Sequence, residues 1–234
     1  MQTVGGKKRL LIAIVEAALE LIPPEIRSEP SVVAYAKRRG KEVRYTLLDS
    51  SYHHRAMKRL ADRAKRGRPD ILHLSLLELL ESPLNRGGAL EFSCHTRGDL
   101  IIELNPEVRL PRVYERFKGL MENLLRDGKI VTSEGRVLMT VRRGGVREAI
   151  SSLSPTEVVL MSERGKLVSI GEVERMIECT ERPLFVIGGF PHGDFSDEVI
   201  SLSDKNVSVS PRALPAWVVA SRVLCAGERV LLRG

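Results

Sequence analysis

The chain has 234 residues, 43% hydrophobic and 29% charged, with a formal net charge of +7. That length supports one large α/β domain or two small ones, and the longest apolar runs, such as 10–15 and 184–187, are far too short to span a bilayer. Cys94, Cys179 and Cys225 are widely separated and form no CxxC pair, which argues against a zinc site or a disulfide framework and fits a reducing cytoplasm. No charged-then-apolar leader opens the chain, so export is not expected. The basic balance points to an anionic partner, nucleic acid first. Aromatics at 4% argue against a sheet of stacking rings for single-stranded RNA. Gln2 is the only glutamine and arginine outnumbers lysine, a composition compatible with a thermophilic source.

Residues 9–19, preceded by Gly5-Gly6-Lys7-Lys8, form a continuous apolar run that predicts a buried first strand. Residues 31–39 predict a short helix closed by Gly40, and 52–65 a basic helix ended by Gly67-Arg68-Pro69. Residues 71–80 are apolar almost all round, the mark of a buried helix. Residues 82–88 then read as a loop, and 90–95 with 100–104 as a hairpin through Arg97-Gly98-Asp99. The best-marked element is a helix over 111–126, with Pro111 at its first position and Gly128 as its stop. Short strands follow over 129–141. The remainder alternates in α/β fashion: strand 157–161, helix 170–179, strand 184–187, strand 198–203, helix 214–224. There is no internal repeat or long linker. The pattern permits a boundary near 147–154, and equally a first strand that joins the sheet of the last part.

Three groups of residues could carry chemistry. On the 111–126 helix, Val113, Phe117, Leu120 and Leu124 share a core stripe, while Glu115, Lys118 and Glu122 lie opposite it, in water. Arg112, Arg116, Gly119 and Asn123 form a stripe beside the core, and Arg109 precedes the helix. Arg109, Arg112 and Arg116 thus converge near a helix N-terminus, a setting that suits phosphate; a solvated basic face paired with glutamates explains the same pattern. Asp70 reads either as the N-cap of the helix starting at Ile71 or as the carboxylate that holds the Arg68 guanidinium. Gly188-Gly189-Phe190-Pro191-His192-Gly193 follows an apolar strand, where α/β folds bind nucleotide-like ligands. It departs from GxGxxG, with Pro191 where a helix should begin, so as a dinucleotide fingerprint it is weak. Adjacent His53 and His54 point in different directions and cannot readily share a metal; one packs and the other is solvated. His73 reads as a satisfied core histidine.

Several blocks in order now identify a family resemblance: Leu47-Leu48-Asp49-Ser50-Ser51-Tyr52-His53-His54, Arg68-Pro69-Asp70-Ile71, Ser82-Pro83-Leu84-Asn85-Arg86, Asn105-Pro106, Arg109-Leu110-Pro111-Arg112, Arg116-Phe117-Lys118-Gly119-Leu120-Met121, and the glycine loop at 188–193. From about Leu10 onward the chain resembles the ribosome-biogenesis pseudouridine N1-methyltransferases of the SPOUT class. The resemblance implies an S-adenosyl-L-methionine-dependent enzyme acting on small-subunit ribosomal RNA as a cytoplasmic homodimer, with no metal and no membrane. It also implies an α/β fold with a C-terminal trefoil knot, which base rates for threaded chains would not suggest. On this reading residues 1–234 are one domain, with an inserted helix and hairpin region roughly over 45–128 and the cofactor-binding knot roughly over 155–234.

Carried over by position, the cofactor would lie among three loops: 161–167, ending at Leu167; Gly188, Gly189, Phe190 and Gly193; and Val209, Ser210, Pro211, Arg212, Ala213 and Leu214. Arg68, Arg109, Arg112 and Arg116 match RNA-contacting positions, and Asp70 the carboxylate that steadies Arg68, these two being the expected catalytic pair. Glu81 stands where many relatives have aspartate, and the segment 201–208 is longer than usual, which loosens the register of the third loop. The missing N-terminal extension suggests an archaeal-type protein. A non-catalytic RNA-binding assembly factor and a nucleotide-linked oxidoreductase using residues 188–193 are the rival classes.

Overall fold

The computed structural model describes residues 8–232; the Gly5-Gly6-Lys7 lead-in lies outside them. At its centre is β1 (Leu10–Ala17). Its neighbours are β2 (Leu90–Thr96) on one side and β7 (Pro183–Gly188) on the other, both parallel. A strand flanked this way is covered on both faces, which is why its sequence is apolar without alternation from Leu10 to Val15. The two faces still separate at period two. Leu10, Ile12 and Ile14 enter the larger core, and Leu11, Ala13 and Val15 the smaller one.

Adding β3 (Leu100–Leu104), β4 (Lys129–Val131), β5 (Val137–Arg143), β6 (Glu157–Leu167) and β8 (Lys205–Ser208) gives one eight-stranded sheet, ordered β4-β5-β3-β2-β1-β7-β6-β8. The hairpin β2–β3 is present, and the first strand does join the sheet of the last part. Five described helices cover the larger core face or its edge: α3 (Pro69–Glu81), α4 (Pro83–Arg86), α5 (Tyr114–Asp127), α7 (Ile170–Cys179) and α9 (Ala216–Leu231). On the opposite face lie α6 (Val146–Ser151) and α8 (Asp197–Ser201).

α8 corrects the expected strand over 198–203. Ser196 caps the helix by accepting from the Val199 N–H, and Asp197 and Glu198 occupy the first turn, a start signal that outweighs a short apolar run. The strand shifts downstream to β8. Residues 52–65 also form less helix than expected: α2 is Ser50–Met57, and a separate 3-10 turn covers Arg63–Lys65. Together with α1 (Pro30–Arg38), α2 encloses a third core of Ile22, Ile26, Val32, Leu48, Ala56, Met57 and Leu60.

The helix expected over 111–126 is α5 (Tyr114–Asp127), closed by Gly128 at φ +80°. Pro111 does not start it. The Pro111 carbonyl bonds His73 Nε2 at 2.7 Å, and Val113 stays extended and exposed rather than joining the core stripe. A second correction concerns Lys118 and Glu122, expected in water and in fact buried, because the α1–α2 lobe packs over their face. The Lys118 ammonium bonds Asp49 at 3.0 Å, the Tyr35 hydroxyl at 2.9 Å and Glu115 at 2.7 Å. Burial alone would lower its pKa, but these hydrogen bonds hold it above the usual lysine value. Glu122 accepts from Arg39, Lys41 and the Leu47 backbone N–H.

His53 is wholly buried while His54 is exposed. His53 Nδ1 accepts the Asp49 backbone N–H at 3.0 Å, and burial lowers its pKa to about 4.

Two stability measurements check this interior. Lys118→Met leaves the Asp49 carboxylate buried without a cation and should cost about 3 kcal/mol in denaturant unfolding; a loss below about 1 kcal/mol would show the pair to be dispensable. The folded state keeps His53 neutral while the unfolded state protonates it near 6.5, so its contribution is intact above that pH and lost as pH falls toward 4. Between pH 7 and 4.5 the parent should lose about 2 kcal/mol more than His53→Asn, and parallel pH profiles would refute this.

Candidate active site

Strands β1, β7, β6 and β8 run parallel, so their C-terminal ends lie along one edge of the sheet. In α/β folds this edge is where ligands bind. A cavity of about 430 Å³ opens there, of a size for a small cofactor. All three expected loops reach it. The first is less a loop than a bulge in β6: Met161 and Lys166 both pair with Val207, and the residues between them swing outward. Met161, Ser162 and Glu163 line the cavity from that bulge. The second loop contributes Gly188, Phe190 and Gly193, and the third Val209, Ser210, Arg212, Ala213 and Leu214.

Three expected residues are not on the wall. Leu167 is 57% exposed at the end of β6, and Pro211 is exposed and does not line the cavity. Gly189 faces β1, where an added Cβ would stand 2.7 Å from the Ala17 Cα. Its N–H bonds the Val15 carbonyl and its carbonyl the Ala18 N–H. This glycine serves strand packing, so a larger residue would disturb the fold as well as the cavity. Gly188 and Gly193 are different. A Cβ at 188 would meet Phe190 at 2.8 Å, and Gly193 sits at φ +97°, which favours glycine. Residue-by-residue reading missed Trp217 and Phe195, which also line the cavity. The chain's single tryptophan, directly after the third loop, was the available signal.

Arg68 forms part of the same wall. Its position follows from its neighbours. Arg66 makes a two-pronged pair with Glu20 at 2.8 and 2.6 Å, Gly67 takes φ +67° against Met57, and the Arg68 N–H bonds the Ala18 carbonyl. The guanidinium then meets Asp70 through Nε–Oδ1 at 2.8 Å and a second nitrogen to Oδ2 at 2.7 Å. That pairing raises the guanidinium pKa further. Asp70 is therefore not the helix cap: α3 begins at Pro69, its N-cap is Arg68, and no side chain caps it. Between the two readings of Asp70, the geometry selects the arginine partner.

Arg109, Arg112 and Arg116 are exposed. Because α5 begins at Tyr114, Arg112 precedes the helix and only Arg116 lies in its first turn. Arg112 pairs with Glu81 at 2.9 Å across solvent, whereas Arg109 and Arg116 have no carboxylate partner among the described residues. His73, one turn along α3 from Asp70, stacks on Phe117 at 4.1 Å and holds Pro111. The starts of α3 and α5 are thus fixed side by side. Burial lowers the His73 pKa, so it serves as a neutral strut.

Other chemistries find little support. Burial pushes the Cys94 thiol up to about 12, too high for a nucleophile. No cluster of three or more His, Cys, Asp or Glu side chains could hold a metal ion among the described residues, and no described helix is long and apolar enough to cross a membrane. The glycine loop runs irregularly to Ser196 before α8 starts, so no helix N-terminus faces a pyrophosphate as a dinucleotide site requires.

Comparison with known proteins agrees with this geometry. Over 41% of 226 aligned residues, covering 96% of this chain and 97% of the relative, it is identical to the ribosomal RNA small subunit methyltransferase Nep1 of Staphylothermus marinus. The protein of the same name from Thermococcus kodakarensis is 42% identical, with 95% of this chain and 99% of that one covered. The crystal structure of Archaeoglobus fulgidus Nep1 bound to S-adenosylhomocysteine superposes with a TM-score of 0.82 at 41% identity, over 95% of this chain and 98% of that one. The model of the EMG1/NEP1 methyltransferase family matches residues 12–228, and the chain belongs to that family.

Proposed function

We propose that this protein is an S-adenosylmethionine-dependent methyltransferase that modifies N1 of a pseudouridine in small-subunit ribosomal RNA and takes part in subunit biogenesis. The observation that carries the reading is the Arg68 guanidinium, held by Asp70, on the wall of a cavity that the three C-terminal loops reach, in a chain whose relatives are named ribosomal RNA small subunit methyltransferase. A member of the family with the demethylated cofactor bound has the same fold.

The cavity fits a nucleoside-bearing cofactor. Phe190 and Trp217 offer apolar surface, and backbone at the strand ends offers hydrogen bonds. The residues in contact are proposed to be Gly188, Phe190, Gly193, Val209, Ser210, Arg212, Ala213 and Leu214, with Gly189, Leu167 and Pro211 supporting them from behind. When bound, S-adenosylmethionine supplies an electrophilic methyl group. The protein's part is placement and charge. Arg68 meets the base edge and stabilises negative charge as the N1 proton leaves to water. Asp70 has both carboxylate oxygens engaged by Arg68, and so orients the guanidinium instead of taking the proton. Arg109 and Arg116 hold phosphates, and Arg112 exchanges Glu81 for RNA. The target nucleotide is turned out of its loop to reach the cavity.

In the family's architecture the segment after β8 is threaded as a trefoil knot. Supporting this here, β8 is the sheet edge beside β6, yet α9 returns across α7 to pack on α3 and β7. We read the chain as one domain, with the insertion roughly over 45–128 and the knot roughly over 155–234, working as a cytoplasmic homodimer.

Two experiments test the chemistry. Asp70→Asn keeps the volume but loses the charge, and should lower methylation about 100-fold while S-adenosylhomocysteine binding and the melting temperature stay the same; full activity would remove Asp70 from the mechanism. Uridine has its N1 bonded to the sugar, whereas pseudouridine presents a free N1–H. Mass spectrometry should show one added methyl on a hairpin carrying pseudouridine and none on the uridine version. Equal methylation of both would put the acceptor at another atom.

A further inference from the structure

The glycine loop is gripped from outside by a residue that does not line the cavity. Lys65 ends the 3-10 turn Arg63–Lys65, three residues before Arg68. Its ammonium donates to the Asp194 carbonyl, lies 4.7 Å from the centre of the Phe190 ring, and stands 3.5 Å from Glu16 Oε2. Its stem passes so close to Gly193 that an added Cβ there would lie 3.0 Å from Lys65 Cε. Phe190, Gly193 and Asp194 all line the cavity.

Glu16 braces the same loop from the sheet. It has φ +52° at the bulge between Ile14 and Ala17 that ends the regular register of β1. Its Oε1 accepts the Ser196 N–H at 3.1 Å. Oε2 is buried with no hydrogen-bond partner, and Lys65 is its counter-charge among the described residues. A strained residue persists only where its surroundings hold it, and here the surroundings are the loop and the lysine.

Downstream of Lys65 there is no slack. Arg66 is locked to Glu20, Gly67 is wedged against Met57, and Arg68 is tied to Ala18 and Asp70. Residues 65–68 therefore form a short stiff link. One end holds the cofactor loop and the other presents the guanidinium.

Resting on the methyltransferase reading above, we propose that Lys65 is a positioning residue that sets the glycine loop for cofactor and couples cofactor occupancy to the placement of Arg68 on RNA. Coupling of this kind is reciprocal: each ligand must tighten the other by the same factor.

The test titrates S-adenosylhomocysteine calorimetrically into the full-length protein and into Lys65→Met, each with and without a pseudouridine hairpin. In the parent the two ligands should tighten each other at least about fivefold. In Lys65→Met, cofactor affinity alone should fall about tenfold and the mutual factor drop to about one. RNA affinity without cofactor should be unchanged, while the melting temperature falls by about 5 °C because Glu16 loses its counter-charge. A lysine that only supports the fold would weaken both ligands alike and leave their mutual factor as in the parent, and that outcome overturns the proposal, as does a variant indistinguishable from the parent. The parent's own coupling needs no variant, so its absence overturns the proposal even if Lys65→Met does not fold. A parent that binds no S-adenosylhomocysteine would instead sink the methyltransferase reading, and this proposal with it.

Discussion

A single buried ammonium fixes the geometry on which the rest depends. Lys118 sits on α5, Asp49 caps α2, and Tyr35 comes from α1; their hydrogen bonds meet at one nitrogen. Removing a charge from water is costly unless its partners are already in place, so the three helices have one mutual arrangement in which Lys118 is satisfied. Asp49 also accepts from the Tyr114 hydroxyl at 3.0 Å, at the first residue of α5. The polar cluster thereby sets where α5 begins, and with it where Arg116 projects. Glu122, one turn further along, repeats the arrangement with Arg39 and Lys41. A helix that is apolar on one side and ionic on the other is here buried on both.

The second constraint is the common direction of β1, β7, β6 and β8. Parallel strands bring their carboxyl ends to one edge, and residues far apart in the chain meet there: Ala18 and Arg68 from the first third, Gly188 and Ser210 from the last. Neither half of the site is complete alone. Arg68 reaches the cavity only because the 66–68 segment is bound to the end of β1 and to Glu20.

Much of this was legible in the residues. The apolar run Leu10–Val15 of β1, the β2–β3 hairpin, the Gly128 stop and the core role of His73 follow from period and composition. Asn85 shows how a motif can be recognised before its purpose: its amide bonds the Leu80 and Pro106 carbonyls, joining the Ser-Pro-Leu-Asn block to the Asn-Pro block. What stayed hidden has physical reasons. Helical period separates stripes, but it cannot say which polar stripe meets another lobe, and so Lys118 and Glu122 read as solvent-facing. A glycine beside a ligand and one beside a strand look alike in sequence; Gly188 and Gly189 are adjacent and do different things. Asp70 at the start of an apolar helix reads more readily as a cap than as a clamp until the Arg68 side chain is seen to turn back on it. The 198–203 segment carries helix-start and strand signals at once, and the Ser196 cap decides.

The place of β1 in the sheet bears on how the protein is made. Leu11 lies beside Glu91 on one side and Leu184 on the other, so during synthesis the strand gains its first neighbour early and its second only when most of the chain has emerged. Until then a strand with no charge from Leu10 to Val15 presents an unpaired edge to other nascent chains, the kind of edge that invites aggregation. The α1–α2 core, built from residues 22–60, needs no such wait and can close while translation continues. The lobe that braces α5 is thus a local product of the ribosome's early output. The cavity at the carboxyl ends of the strands is the last thing the nascent chain can build.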